Sequence, residues 1–86
     1  MTPDKDTIRS TVLKYLARSI ELDPATADTS KSMKDLGANS IDIVEVVSSS
    51  MRELRIKIPR EELSRLTNID GLVDLLHETA VAKAQA

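Results

Sequence analysis

The 86-residue chain has a net charge of −2, is 41% hydrophobic and 30% charged, and contains no cysteine. A chain of this length can bury only one core, so we expect a single domain spanning residues 1–86. The absence of cysteine excludes disulfides and thiolate ligands, and one histidine, His77, cannot supply the ligands of a zinc site. We therefore expect no metal site.

Charge and hydropathy also disfavour two classes of partner. Acidic and basic residues are scattered along the chain, so no basic surface for nucleic acid is indicated. No run of about 18 apolar residues exists, and the start of the chain lacks a basic stretch followed by an apolar one. We expect no membrane span and no secretory signal, and hence a cytoplasmic protein, which we expect to be a monomer.

The first predicted helix begins with Thr2 as its N-cap and Pro3 in the first helical position. It ends at Asp23–Pro24, because the residue before a proline is driven out of the helical region. Apolar residues recur every four positions between these limits, and charged residues occupy the opposite side, which predicts one buried face. This face consists of Ile8, Val12, Leu16 and Ile20.

Residues 23–39 show no sustained periodicity and predict a long loop, a feature that is often functional in a compact domain. We expect one helical turn over residues 32–36, with Met33 and Leu36 pointing into the core.

The segment from Ser40 to Leu54 is rich in β-branched residues, which favour strands. However, strict alternation fails at Ile43–Val44 and again at Val46–Val47, and helical spacing fits better. The segment therefore predicts a helix whose core face consists of Ile43, Val47, Met51 and Leu54, joined by Val44.

Beyond this helix, Ile56 and Ile58 predict an extended connector, and residues 59–63 predict a short helix. Thr67 is the expected N-cap of the last helix, with Asp70 completing a capping box. The buried stripe of that helix is predicted to be Ile69, Leu72, Val73, Leu76 and Ala80, and residues 81–86 are expected to fray. The predicted fold is all-α: a four-helix bundle with three longer helices, one short helix and a long first loop.

The most informative stretch lies where the long loop becomes the second long helix. Considered alone, it predicts a helix cap, with Asn39 or Ser40 accepting hydrogen bonds from the first amides and Gly37 providing the bend. The same stretch resembles the Gly-x-Asp-Ser-Leu attachment motif of acyl carrier proteins, here Gly37, Ala38, Asn39, Ser40 and Ile41. The resemblance extends to the first helix, the Ile58–Pro59 connector and residues 67–76.

The resemblance implies a carrier rather than an enzyme, with no catalytic residues. Acyl intermediates would be held as thioesters on a 4′-phosphopantetheine arm that comes from coenzyme A and is attached to Ser40. The implied partners are a phosphopantetheinyl transferase, acyltransferases and ketosynthases. A serine at a helix start also suits this attachment physically, because free amides and the helix dipole stabilise a phosphate by roughly 0.3–1 kcal/mol.

Two departures from the family pattern concern the partners. Asn39 replaces the usual Asp and removes one negative charge, whereas Ile41 replaces the usual Leu and keeps an apolar side chain. Residues 40–58 contain three acidic and three basic residues, while the second helix of fatty-acid carriers resembles an acidic strip. One interpretation is an ordinary solvated face. The other is a docking surface limited to the helix start, made of Asn39, Ile41, Asp42, Val44 and Glu45.

These departures favour a discrete carrier of polyketide biosynthesis over a fatty-acid carrier. Residues 58–63 and 68–72 are also similar to donor carriers of β-branching cassettes, which implies donation of acetyl to an HMG-synthase-like enzyme. A peptidyl or aminoacyl carrier of nonribosomal peptide synthesis is the alternative within the same class. A helical adaptor that is never modified is the alternative from another class, and an enzyme acting through His77 and a serine is a remote third.

Overall fold

The computed structural model describes residues 3–63 and 68–85. These residues form helices and no strand: α1 Lys5–Ser19, α2 Ser40–Leu54, α3 Arg60–Leu63 and α4 Ile69–Gln85. α1 packs against both α2 and α4. The all-α class is therefore confirmed. α3 is a single turn, and its role as the fourth member of a bundle stays a prediction.

α1 begins and ends inside the predicted limits. Its N-cap is Asp4, whose Oδ1 accepts a hydrogen bond from Thr7 N at 2.7 Å. The predicted cap, Thr2, lies outside the described residues, and the predicted helical position of Pro3 is wrong because the helix starts at Lys5. At the other end the helix stops at Ser19 rather than Asp23, because Ile20 adopts an extended backbone conformation, with φ −136° and ψ 162°. Asp23 then forms a separate turn. Its Oδ1 and O accept hydrogen bonds from the amides of the two residues after Pro24.

The core lies between the three longer helices. Among the described residues it is apolar apart from two small polar side chains, Thr11 and Ser50. Both polar groups donate to a backbone carbonyl one turn earlier, so neither is left unsatisfied. The predicted stripes of α1 and α4 are confirmed, except that Ile20 is only half-buried and ends α1. The completely or nearly buried stripe residues are Ile8, Val12, Leu16, Ile69, Leu72, Val73, Leu76 and Ala80.

The buried face of α2 differs from the predicted one. Val47 is buried as expected, but Val46 is buried as well, and Val44 is 63% exposed. Val44 lies about 100° around the helix from Ile43, whereas Ser50 lies close to the line of Ile43 and marks the centre of the face. The placement of Val44 on the core face is therefore wrong.

The long loop is anchored at two places. The last of its turns runs from Met33 to Gly37, with Met33 buried and Leu36 packed against the core, as predicted. Before this turn, Thr29 O and Lys31 O accept hydrogen bonds from the first amides of α4 at 2.9 and 3.0 Å. The loop therefore satisfies backbone donors that a helix start leaves free.

Asn68 caps α4, because its Oδ1 accepts from Gly71 N at 2.6 Å. The expected cap, Thr67, lies outside the described residues, and the capping position immediately before Ile69 belongs to Asn68. α4 continues to Gln85, through most of the segment for which fraying was predicted; thermal fraying of this end stays a prediction.

The connector between α2 and α3 agrees with the alternating pattern, because Ile56 and Ile58 are both buried. Arg55 ends α2 in the left-handed region, with φ 57°. Its carbonyl oxygen accepts a hydrogen bond from Lys83 Nζ at 3.0 Å, which joins the end of α2 to the last turns of α4.

Candidate functional site

The backbone before α2 turns sharply at Gly37, whose φ of +108° is accessible to glycine and strained for other residues. Gly37 N donates to Lys34 O and Ala38 N donates to Met33 O, both at 3.0 Å. Ala38 is then buried, with 4% of its surface exposed. The turn and the buried alanine together fix the chain immediately before the predicted attachment residue.

Asn39 and Asp42 form a reciprocal capping box. Asn39 Oδ1 accepts from Asp42 N at 2.8 Å, and Asp42 Oδ2 accepts from Asn39 N at 3.2 Å. The sequence left either Asn39 or Ser40 as the cap, and the structure assigns this role to Asn39. Because the cap is supplied by the neighbour, the hydroxyl of Ser40 is not needed to hold the helix start.

Ser40 is the first residue of α2 and is exposed. Its Oγ has no hydrogen-bond partner within residues 3–63 and 68–85. The first amides of a helix have no intrahelical acceptor, so free donors lie beside this hydroxyl. An exposed hydroxyl next to free amides at the positive end of a helix dipole fits the attachment of a phosphodiester.

The structure separates the predicted docking residues into two groups. Of the large apolar side chains that the structure describes, Ile41 and Val44 are the most exposed, at 74% and 63%. Their three-residue spacing places them on one side of α2. Glu45 is exposed four residues after Ile41. The side chains of Asn39 and Asp42 instead form the hydrogen bonds of the capping box. Docking by these residues stays a prediction.

Sequence reasoning missed the role of Glu53. Its Oε1 accepts hydrogen bonds from Lys14 Nζ at 2.6 Å and from Tyr15 OH at 2.8 Å, both on α1. These bonds, with the one from Lys14 contributing most, lower the pKa of the Glu53 carboxyl below its usual value. No pattern along the sequence indicates this contact, since the partners are 38 and 39 residues away.

In the described ranges, no helix combines the length and apolar character needed to cross a membrane.

Comparison with known proteins addresses the identity of this site. Residues 10–76 match the family described as "Phosphopantetheine attachment site". The chain is 36% identical over 58 residues to the polyketide biosynthesis acyl-carrier-protein AcpK of Bacillus subtilis, which covers 67% of this chain and 71% of the relative. It is 35% identical over 69 residues to an acyl carrier protein of Akkermansia muciniphila, covering 80% and 82%.

A third relative, an acyl carrier protein of Helicobacter pylori, is 28% identical over 68 residues, covering 78% of this chain and 87% of the relative. No solved structure matches significantly. The family match includes most of the chain, from the middle of α1 to the middle of α4. The chain therefore belongs to the phosphopantetheine-binding acyl carrier proteins, whose members bear a 4′-phosphopantetheine group and are carriers, not enzymes.

Proposed function

We propose that this carrier bears its prosthetic group on Ser40 and shuttles acyl intermediates between enzymes of polyketide biosynthesis. The observation that carries the attachment is the exposed Ser40 Oγ, which has no hydrogen-bond partner in the described residues and stands at the first position of α2. When bound, the group supplies the thiol that holds an acyl chain as a thioester, and the protein itself has no cysteine.

The residues around Ser40 have separate tasks in this proposal. Asn39 and Asp42 hold the first turn of α2, so that the serine hydroxyl is presented on fixed backbone. The free amides at this helix start stabilise the negative charge of a phosphodiester on Ser40. Ile41 and Val44 offer apolar contact to a partner enzyme, and the negative charge of Glu45 attracts a basic one.

Attachment is tested by intact mass after incubation with coenzyme A and a broad-specificity phosphopantetheinyl transferase. We expect one phosphopantetheine per chain, and none on Ser40→Ala. Ser48→Ala is the matched control, because Ser48 is also exposed on α2 and should leave the modification unchanged. A modified Ser40→Ala would place the attachment on another residue and overturn the assignment of Ser40. An unmodified wild type would favour the alternative of a helical adaptor.

Two observations support the polyketide assignment. The relative from Bacillus subtilis is named a polyketide biosynthesis carrier. In addition, Glu53 is bound to Lys14 and Tyr15, and the other charged side chains at the end of α2 and directly after it are basic and exposed: Arg52, Arg55 and Lys57. A surface that is acidic only at the helix start discriminates against partners that require an acidic strip.

We further propose that the cargo is acetyl and that its acceptor is an HMG-synthase-like enzyme. The support is Asn39 at the usual Asp position and the similarity of residues 58–63 and 68–72 to donor carriers. The experiment offers the acetyl-loaded protein to an HMG-synthase homologue and, separately, to a chain-extending ketosynthase. We expect faster transfer to the former. Faster transfer to the ketosynthase would end the donor assignment and leave the carrier assignment intact.

The alternative of a peptidyl or aminoacyl carrier is tested by asking which enzyme loads the phosphopantetheine arm. A peptidyl or aminoacyl carrier would accept an amino acid from an adenylation enzyme, whereas we expect loading by an acyltransferase. The monomeric state, the cytoplasmic location and the packing of α3 as a fourth bundle member remain predictions alongside this proposal.

A further inference from the structure

Four basic residues surround a groove where the end of α2 meets the last turns of α4. They are Arg52, Arg55, Lys57 and Lys83, and all four are exposed. No carboxylate lines the groove. Within the described part of the chain, none of the four has a carboxylate partner, and only Lys83 is engaged at all, through its hydrogen bond to Arg55 O. We call this feature the basic groove.

The inner part of the basic groove is apolar. Met51 is half-buried and packs against the core, Ile56 is 4% exposed, and Ala82 contributes a methyl group from α4. The groove has a volume of about 660 Å³, which is enough for several side chains. It therefore combines an apolar interior with a cationic rim.

The basic groove and Ser40 lie at opposite ends of α2. This helix has 15 residues, which corresponds to about 21 Å between its first and last residues. The two surfaces also have opposite charge, because Asp42 and Glu45 lie near Ser40 and the cations lie at the far end. One partner can therefore occupy the groove while another reaches Ser40.

We propose that the basic groove holds an acidic segment of a partner protein, with apolar side chains of that segment entering the groove. Charge complementarity requires negative charge in the occupant, because four cations lie together without a carboxylate. A narrow segment also fits the shape, since the apolar residues lie inside the rim. This inference goes beyond the carrier function, because it concerns a surface remote from the attachment serine.

The same shape argues against two other anionic surfaces. A bilayer is broad, and its contact requires apolar side chains that project past the basic ones, whereas Ile56 is buried inside the groove. Single-stranded nucleic acid is bound on aromatic side chains, and none lines the groove. Occupancy of the groove would hold a partner near the carrier and raise its effective concentration at Ser40.

The test uses a fluorescein-labelled peptide of about twelve residues, with Glu and Leu at helical spacing. We expect binding by fluorescence anisotropy, with amide shifts at Arg52, Lys57 and Thr79 in NMR spectra. A peptide with Gln in place of Glu should bind at least about tenfold more weakly. Ser40→Ala should bind the Glu peptide as the wild type does, whatever the fate of the attachment proposal.

The decisive variant is Arg52→Glu combined with Lys57→Glu, since both side chains are exposed and make no contact that the fold needs. Binding should weaken about tenfold or more. Paired substitutions Lys31→Glu and Lys34→Glu, on the exposed side of the long loop, change the net charge equally and should have little effect.

Several results would overturn the proposal. These are no binding of the Glu peptide at millimolar concentration, equal losses in the two double variants, or shifts confined to the Ile41 end of α2. Binding to phosphatidylserine vesicles that the Arg52→Glu and Lys57→Glu changes abolish, without binding of the peptide, would assign the groove to a membrane instead. Concentration-dependent self-association abolished by the same changes would assign it to a second copy of this chain.

Discussion

Asn39 and Asp42 exchange two hydrogen bonds across the first turn of α2, at 2.8 and 3.2 Å, with Ser40 held between them. The same pair therefore determines where the helix begins and how the attachment serine is presented. Asn39 retains the capping oxygen of the Asp that is usual in the family, without its charge. The start of the helix and the position of the site therefore both depend on this pair of hydrogen bonds.

The first prediction concerns this exchange. Asn39→Ala should lower the free energy of unfolding by about 1 kcal/mol, because Asp42 N loses its acceptor, Asn39 Oδ1, at the helix start. Asn39→Asp keeps the acceptor and should change stability by less than about 0.5 kcal/mol. Urea unfolding followed by circular dichroism measures both. Equal losses in the two variants would show that the cap is not what holds the helix start.

The second prediction concerns Glu53 and pH. The hydrogen bonds from Lys14 and Tyr15 lower the pKa of its carboxyl in the folded protein, so its ionised form is favoured there. A carboxyl group with a lowered pKa contributes stability that is fully present above its pKa in the unfolded chain, about 4.3. This stability is lost as the pH falls through the pKa of the group in the folded protein. The difference in free energy of unfolding between wild type and Glu53→Gln should therefore be largest near neutral pH and become smaller as the pH is lowered.

Tyr15→Phe provides a graded control for this effect. It removes one of the two hydrogen bonds to Glu53 Oε1 and keeps the bond from Lys14. At neutral pH, the free energy of unfolding of Tyr15→Phe should exceed that of Glu53→Gln by less than the wild-type value does. This difference should also become smaller over the same acidic range. A gap between wild type and Glu53→Gln that stays constant from pH 7 to acid would contradict the linkage.

The third prediction tests the core. Leu76→Ala should destabilise the protein by about 2–5 kcal/mol, because the side chain is fully buried in the core. Leu75→Ala removes the same atoms from a half-buried position and should cost clearly less. Denaturant midpoints measure both. Similar midpoints for the two variants would contradict the assigned core face.

The long helices could be predicted from the sequence because their apolar residues repeat with helical spacing, and that spacing is a property of nearby residues. The ends of the helices were harder to predict from the sequence. Thr2 and Asp4 are both good capping residues, and Asp4 is selected because the helix starts at Lys5 and its carboxylate reaches Thr7 N. Local signals of equal strength do not decide between neighbouring caps.

The exact face of α2 also could not be read from its pattern. Val44 and Val46 are equally apolar, and only the packing of the folded chain decides that Val46 is buried in the core while Val44 is exposed. The position of Ser40 was predictable because a loop, a glycine and a capping residue precede it directly. The hydrogen bonds between Glu53 and α1 were not predictable, because they join residues almost forty positions apart in the sequence.

The last prediction concerns the start of α2 as a docking surface. Glu45 is exposed, lies one turn beyond Ser40 and carries no ion pair within the described residues, so it is available to a basic partner. Glu45→Lys should slow modification of Ser40 by the transferase and make the rate less sensitive to salt, because rim charges act mainly on association. The rate is measured by mass spectrometry across a range of salt concentrations.

Arg52→Glu is the matched control for Glu45→Lys, since it reverses an exposed charge on the same helix near its other end. It adds negative charge about 18 Å along the axis from Ser40, roughly twice the screening length of about 8 Å at physiological salt. The transferase rate should therefore stay close to that of the wild type. If Arg52→Glu alters the rate as much as Glu45→Lys does, the transferase contacts the whole length of α2. Partner recognition would then not be confined to the first turns, where Ile41 and Val44 supply exposed apolar contact.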